Sequence, residues 1–257
     1  MSMKSLFRAC FLITSLILTL ASITAAAEPP SADDPVARSI LEKSDEIRFP
    51  SQGFQVDVNI VSASPGEATE QRSYRILSKG NDNTVVMILE PASERGQIML
   101  MKGRDLWVFM PDVSQPIRLG LALRLTGQVA NGDLARANFT GDYTPKLLRT
   151  EKLEGEDYYV LELLAVDRSV TYHRVLLWVN KSNYRPRKAE FYSLSGRLLK
   201  TSTYENFKTM AGEQRPTRML IQDALKPGAI SVLEYSNMKL RDLPDKVFSK
   251  DYLKKLQ

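Results

Sequence analysis

Few residues in this chain are suited to covalent or acid–base chemistry. His173 is the only histidine, so it is the only imidazole available to activate a serine nucleophile, and no G-x-S-x-G elbow accompanies it. Glu151, Glu154, Glu156 and Asp157 gather closely enough to suggest a carboxylate pair for glycoside chemistry, but they lie in and beside a hairpin turn and read as solvated. The single cysteine, Cys10, cannot by itself build a zinc site, which needs several thiol or imidazole ligands at set spacing. No phosphate loop or dinucleotide fingerprint is present. These residues point away from an enzyme and call for no metal or cofactor.

The first 27 residues set the compartment. Lys4 and Arg8 precede an apolar run from Phe11 to Ile23, and Ala25-Ala26-Ala27 presents small residues for cleavage. That is the pattern of a secretory signal peptide, and the run is shorter than the ~20 residues of a membrane-spanning helix. Residues 28–257 are then expected to form one soluble domain of the periplasm. Without Cys10 this domain has no disulfide and depends on packing and strand pairing. Removing Lys4 and Arg8 lowers the net charge from +5 to +3. The bases are interspersed with acids, and no basic stripe with interleaved aromatics marks a nucleic-acid surface.

After a Pro-rich tether, Asp34 and Pro35 open a helix with Val36, Ile40, Leu41 and Ile47 on one face, and Pro50 ends it. From Gly53 the period changes to two: Phe54, Val56, Val58 and Ile60 alternate with polar residues, as in a half-buried strand. Thr84–Leu89, Gln97–Met101 and Leu106–Met110 are apolar on both faces, which requires cover on both sides or a cavity on one. Pro111–Tyr143 interrupts this pattern with four glycines and Leu119, Leu121, Leu123 and Leu125. It reads as a partly helical insertion over the sheet, since long loops in compact domains are usually functional or disordered and the leucines argue for order. Strands resume after Pro145 and continue to Leu240. About ten antiparallel strands with few crossovers indicate a large curved sheet or open barrel, and Leu243–Leu256 reads as a short helix with Ser249 as its cap.

Several segments, in order along the chain, resemble one family. Asp105-Leu106-Trp107-Val108-Phe109-Met110-Pro111 is followed by Gly127–Leu134 and by Asn138-Phe139-Thr140-Gly141-Asp142-Tyr143. Tyr184–Lys188, Gly196–Thr201, Pro216–Met219 and Leu243–Phe248 come later. The chain thereby resembles the bacterial outer-membrane lipoprotein-sorting proteins, the LolA-like group. The resemblance implies a mainly β fold: an incomplete antiparallel β-barrel with a helical lid over an apolar cavity. It also implies a periplasmic carrier of the acyl chains of lipoproteins or other lipids. The lid here is richer in leucine, and the chain longer, than in the lipoprotein carrier that typifies the group.

If the doubly apolar strands line a lipid cavity, Met87, Met99, Met101, Trp107, Phe109, Met110 and Trp178 are its candidate lining. Methionine suits a site that accepts chains of variable shape. Alternation puts Trp107 and Phe109 opposite Leu106, Val108 and Met110, and either set can face inward. The leucines at 119, 121, 123 and 125 would fill the empty hollow and swing out on loading, with Gly120, Gly127 and Gly132 as hinges. The alternative from another class is an accessory protein that docks on an inner-membrane lipid transporter and binds protein rather than lipid.

Overall fold

A computed structural model describes residues 34–136 and 138–253. The expected signal peptide at 1–27, the tether after it and the last three residues of the expected C-terminal helix lie outside the described residues.

Helix α1 (Pro35–Arg48) begins where expected. Asp34 accepts hydrogen bonds from the N–H groups of Val36 and Ala37, both at 3.0 Å, and Pro35 occupies the first turn. A third donor, the Leu147 N–H at 3.1 Å, ties this cap to a strand more than a hundred residues away. Backbone donation, from Ala37 foremost and then Leu147, holds the Asp34 carboxyl below its ordinary range. The buried face differs from the expected one. Val36 is 58% exposed, and the inward stripe is Ala37, Ile40, Leu41, Ser44, Asp45 and Arg48, an i, i+3, i+4 series.

The strands are β1 (Phe54–Ala63), β2 (Glu70–Lys79), β3 (Asn83–Glu90), β4 (Ile98–Lys102), β5 (Asp105–Phe109) and β6 (Ile117–Leu119), then the short β7 (Arg124–Thr126) and β8 (Val129–Ala130). Helix α2 (Asn131–Ala135) follows. Then come β9 (Tyr143–Leu153), β10 (Glu156–Ala165), β11 (Arg174–Asn180), β12 (Pro186–Tyr192), β13 (Leu198–Met210), β14 (Glu213–Asp223) and β15 (Ile230–Leu240), and a last turn of helix, α3 (Lys250–Leu253). Thirteen strands form one antiparallel sheet, ordered β6-β5-β4-β3-β2-β1-β15-β14-β13-β12-β11-β10-β9, while β7 and β8 pair separately. The sheet curves without closing. Register breaks in β1 between Gln55 and Asp57, and in the β9–β10, β11–β12 and β12–β13 ladders, add local bend. Helix α1 touches both β9 and β14, five places apart in the sheet, so it lies inside the curve.

This topology fixes the place of the insertion. Its first strand, β6, and the strand that follows the insertion, β9, are the two opposite edges of the sheet. The chain between them must therefore cross the mouth of the curve. The insertion is less helical than expected: Leu119 ends β6, Leu125 lies in β7, Leu121 and Leu123 sit in the turn between them, and the helix is confined to the five residues of α2.

The doubly apolar strands are covered on both faces. Val86, Ile88, Met99, Met101 and Leu106 belong to the inner core with α1. Their alternates Val85, Ile98, Leu100 and Phe109 pack outward under Leu243, Val247, Phe248 and Leu253 of the C-terminal segment. A period of two places successive side chains on opposite faces, so each strand supplies two cores.

Candidate functional site

The inner side of the curve is closed by three layers: the sheet, α1 and the insertion. From the insertion, Leu121, Val129, Ala130, Leu134, Ala135 and Phe139 join the inner core. The void left between them measures about 40 Å³ and is lined by the aromatic residues Phe49, Phe139, Tyr143, Tyr204 and Tyr235 and by Arg48, Asp133, Arg136, Asn138 and Met219, among others. A water needs at least ~10–15 Å³ on this measure, so the void holds a few waters or one small polar group. An acyl chain fits only if the cover shifts.

The walls are aromatic. Phe49 stacks on Phe54 at 5.8 Å and meets Tyr235 edge-on at 5.6 Å; Phe139 meets Tyr143 edge-on at 5.6 Å. Burial pushes the phenols of Tyr143 and Tyr235 well above their ordinary range. The Arg48 guanidinium sits 4.2 Å from the centre of the Phe139 ring, a cation–π distance.

Polar bonds fasten the cover. Lys200 of β13 reaches Asp133 of α2 at 2.5 Å and the Gln128 carbonyl at 3.0 Å. The Tyr172 hydroxyl donates to Asp133 Oδ1 at 2.9 Å, and the Ala130 N–H donates to Oδ2 at 2.7 Å. Burial, then the adjacent Asp133 charge, raises the Tyr172 phenol well above its usual value. Asp45 of α1 forms a second fastening: its Oδ2 accepts from Phe139 N at 2.9 Å and from Thr140 N and Oγ1 at 2.8 Å, while Oδ1 pairs with Arg48 Nη1 at 2.9 Å. Arg136 binds Asp142 through two nitrogens and the Gly103 carbonyl through the third. The proposed hinge glycines are instead points of close approach. A Cβ on Gly127 would lie 2.0 Å from Ser62 Oγ, and one on Gly132 would lie 2.0 Å from Thr171 Oγ1.

A LolA superfamily protein from Nitrosomonas europaea is 71% identical to this chain, covers 84% of it and 98% of itself, and superposes with a TM-score of 0.81. The chain belongs to the LolA superfamily. Two further structures share the fold. One, provisionally described as an outer membrane lipoprotein-sorting protein domain from Vibrio parahaemolyticus, has 23% identity, coverage of 86% and 99%, and a TM-score of 0.73. The other, a DUF1329 family protein from Desulfovibrio piger, has 22% identity, coverage of 85% and 98%, and a TM-score of 0.74. A family model described as "Uncharacterized protein" matches residues 80–255. No curated protein matches the chain.

In this LolA-superfamily chain the residues expected to line a cavity do not converge. Met99 and Met101 lie in the inner core. Met87, Trp107 and Phe109 belong to the outer cluster under the C-terminal segment. Trp178 is on the outer side elsewhere, with Tyr158 and Val160, where Lys188 sits 3.9 Å from its ring. Met110 is half-buried just beyond β5. None of the seven lines the void. Of the lid leucines, Leu121 is 4% exposed, Leu119 and Leu125 are half-buried against the inner core, and Leu123 is 56% exposed. His173 is exposed, with its carbonyl accepting from Ala165 N. Glu151 binds Trp178 Nε1 and Arg149, Glu154 binds Arg187, and Glu156 binds Asn180, so these acids act as sheet fastenings.

The polar residues of the site, Asp45, Arg48, Asp133, Tyr172 and Lys200, were missed. One signal was present: continuing the α1 stripe from Ala37, Ile40 and Leu41 reaches Ser44, Asp45 and Arg48.

Proposed function

We propose that this protein is a periplasmic carrier that binds the acyl chains of lipoproteins or lipids and moves them toward the outer membrane. It acts by binding rather than catalysis, as one unit of residues 28–257 after removal of 1–27. The observation that carries the reading is the insertion between the sheet edges. It buries Leu121, Val129 and Leu134 in the hollow, yet it is held by bonds that can be exchanged for bonds to water. Membership of the LolA superfamily and the lipoprotein-sorting description of the V. parahaemolyticus domain support the same reading.

Burying a methylene contributes about 0.8 kcal/mol, so one long chain gains on the order of 10 kcal/mol gross. Displacing the insertion's own apolar side chains offsets much of this, leaving an affinity that permits release. Among the described residues no helix is long and apolar enough to cross a membrane; delivery would then require a partner at each membrane, such as an inner-membrane lipid transporter. Native mass spectrometry of protein purified from its own envelope tests the proposal. Acyl species should co-purify in stoichiometric amount, and consistently lipid-free protein that also fails to take up added acyl chains overturns it.

A further inference from the structure

Five buried side-chain polar atoms lack partners among the described residues. Three are hydroxyls, of Ser44, Tyr74 and Ser202, and the other two are Arg48 Nε and Asn138 Oδ1. Arg48 and Asn138 line the void. The Arg48 side chain is 9% exposed, and a buried charged donor without an acceptor is costly unless a ligand supplies one.

Its neighbours cannot. Asp45 Oδ1 already takes Arg48 Nη1, and Asp45 Oδ2 takes three donors from Phe139 and Thr140. Asp133 is engaged by Ala130, Tyr172 and Lys200. Asp142 is gripped by Arg136. Of the two cations lining the void, Arg136 has every nitrogen bonded to Asp142 or the Gly103 carbonyl, whereas Arg48 has a buried nitrogen, Nε, with no partner.

We propose that the cargo is an anionic amphiphile whose acidic headgroup, a carboxylate or a phosphate, seats in the void on Arg48 Nε. This rests on the carrier reading and specifies its cargo. A void of about 40 Å³ has the size of a headgroup's few oxygens rather than of a chain. Phe139 and Thr140 stay seated, so that Asp45 remains engaged and Arg48 keeps its donor. The hydrocarbon lies along the inner face that Leu121, Val129 and Leu134 cover in this state. Asn138, whose amide oxygen and nitrogen exchange on a half-turn, presents either an acceptor to a headgroup hydroxyl or a second donor to the anion.

The test compares dodecanoate and dodecyl phosphate with 1-dodecanol and methyl dodecanoate by titration calorimetry on the whole protein, below micellar concentrations. The acids should bind at least about tenfold more tightly, the scale of one hydrogen bond to a charged group, and Arg48→Gln should abolish the difference. Equal affinity for acid and alcohol overturns the headgroup site but leaves the carrier reading standing; binding of none overturns both. An acid preference that persists in folded Arg48→Gln removes Arg48 from the role. Because that substitution can loosen α1, carboxyl-¹³C dodecanoate bound to the unaltered protein gives an independent measure. Its resonance should stay ionised below the pH at which free dodecanoate protonates, and titration like the free acid overturns the proposal.

Discussion

The two faces of β3, β4 and β5 carry equally apolar residues but different covers. Outside, Leu243, Val247, Phe248 and Leu253 lie on Val85, Ile98, Leu100 and Phe109, and Phe248 is 1% exposed. The charged contacts of this cover among the described residues are an exposed pair, Lys79 with Asp245 at 2.9 Å, and Lys250 over the Trp107 ring at 5.7 Å. Inside, the insertion also contributes apolar groups, but its backbone is held by Asp133, Lys200, Tyr172 and Asp45. Apolar burial has no substitute in water, whereas a polar bond has water as an alternative partner. The outer cover rests on apolar burial, whereas the inner one combines apolar burial with polar bonds for which water is an alternative partner.

The sharpest way to break this contrast is Phe248→Ala. It removes a fully buried ring and should lower global stability by about 3–5 kcal/mol in urea unfolding, with acyl affinity of the folded protein unchanged. A loss of acyl binding without a loss of stability would make the outer face the site.

Lys200→Met tests the inner cover. It leaves the Asp133 carboxylate buried without its cation, which in a rigid core costs about 3–5 kcal/mol. Here the insertion can lift and hydrate Asp133, so the loss is capped by the free energy of local opening. Amide exchange across Val129–Ala135 should accelerate at least about tenfold, with little change in the global urea midpoint. A midpoint that falls by the full amount would show the insertion to be part of the permanent core.

Within the insertion, Leu121→Ala should cost about 2–3 kcal/mol, read as the same local opening and as altered acyl affinity. Leu123→Ala, at a side chain 56% exposed, should change either by no more than about 0.5 kcal/mol. Equal effects would mean that the leucines act together as a surface rather than one by one as a plug.

The sheet was legible because its signals are local. Gln97–Met101 and Leu106–Met110 show at once that both faces need cover, and Asp34-Pro35 marks a helix start wherever the helix packs. Which face is the cavity side was not legible, because it depends on where residues 243–253 return. The polar fastenings were hidden for a related reason. Asp45 and Arg48 have a surface prior as charged residues, and only the arrival of Phe139 and Thr140, more than ninety positions away, makes their burial tolerable. The alternation of leucines at 119, 121, 123 and 125 was no guide to the insertion, because Leu121 and Leu123 fall in the turn after Gly120 and each of the four leucines is buried to a different degree.

The smallest expected effect sharpens the comparison most. Asp57 and Arg75 repeat the carboxylate–cation chemistry of Asp133 and Lys200 on the outer face of β1 and β2, at 2.7 Å, with Arg75 40% exposed. The Arg75 hydrogen bond, with a smaller contribution from Asn237, holds the Asp57 carboxyl below its ordinary range against a partial burial penalty. A depressed carboxyl stabilises the fold fully above the ordinary aspartate value of about 3.9 and loses that contribution as pH falls through the lower folded value. Solvent screening limits it to less than about 1 kcal/mol. Asp57→Asn should therefore lower stability slightly and evenly above pH 5, and the difference from the unaltered protein should vanish toward pH 2. A pair of equal chemistry would then contribute little where water reaches it, while Lys200→Met exposes the insertion. An Asp57→Asn effect as large as that of Lys200→Met would mean that burial is not what gives the inner fastening its strength.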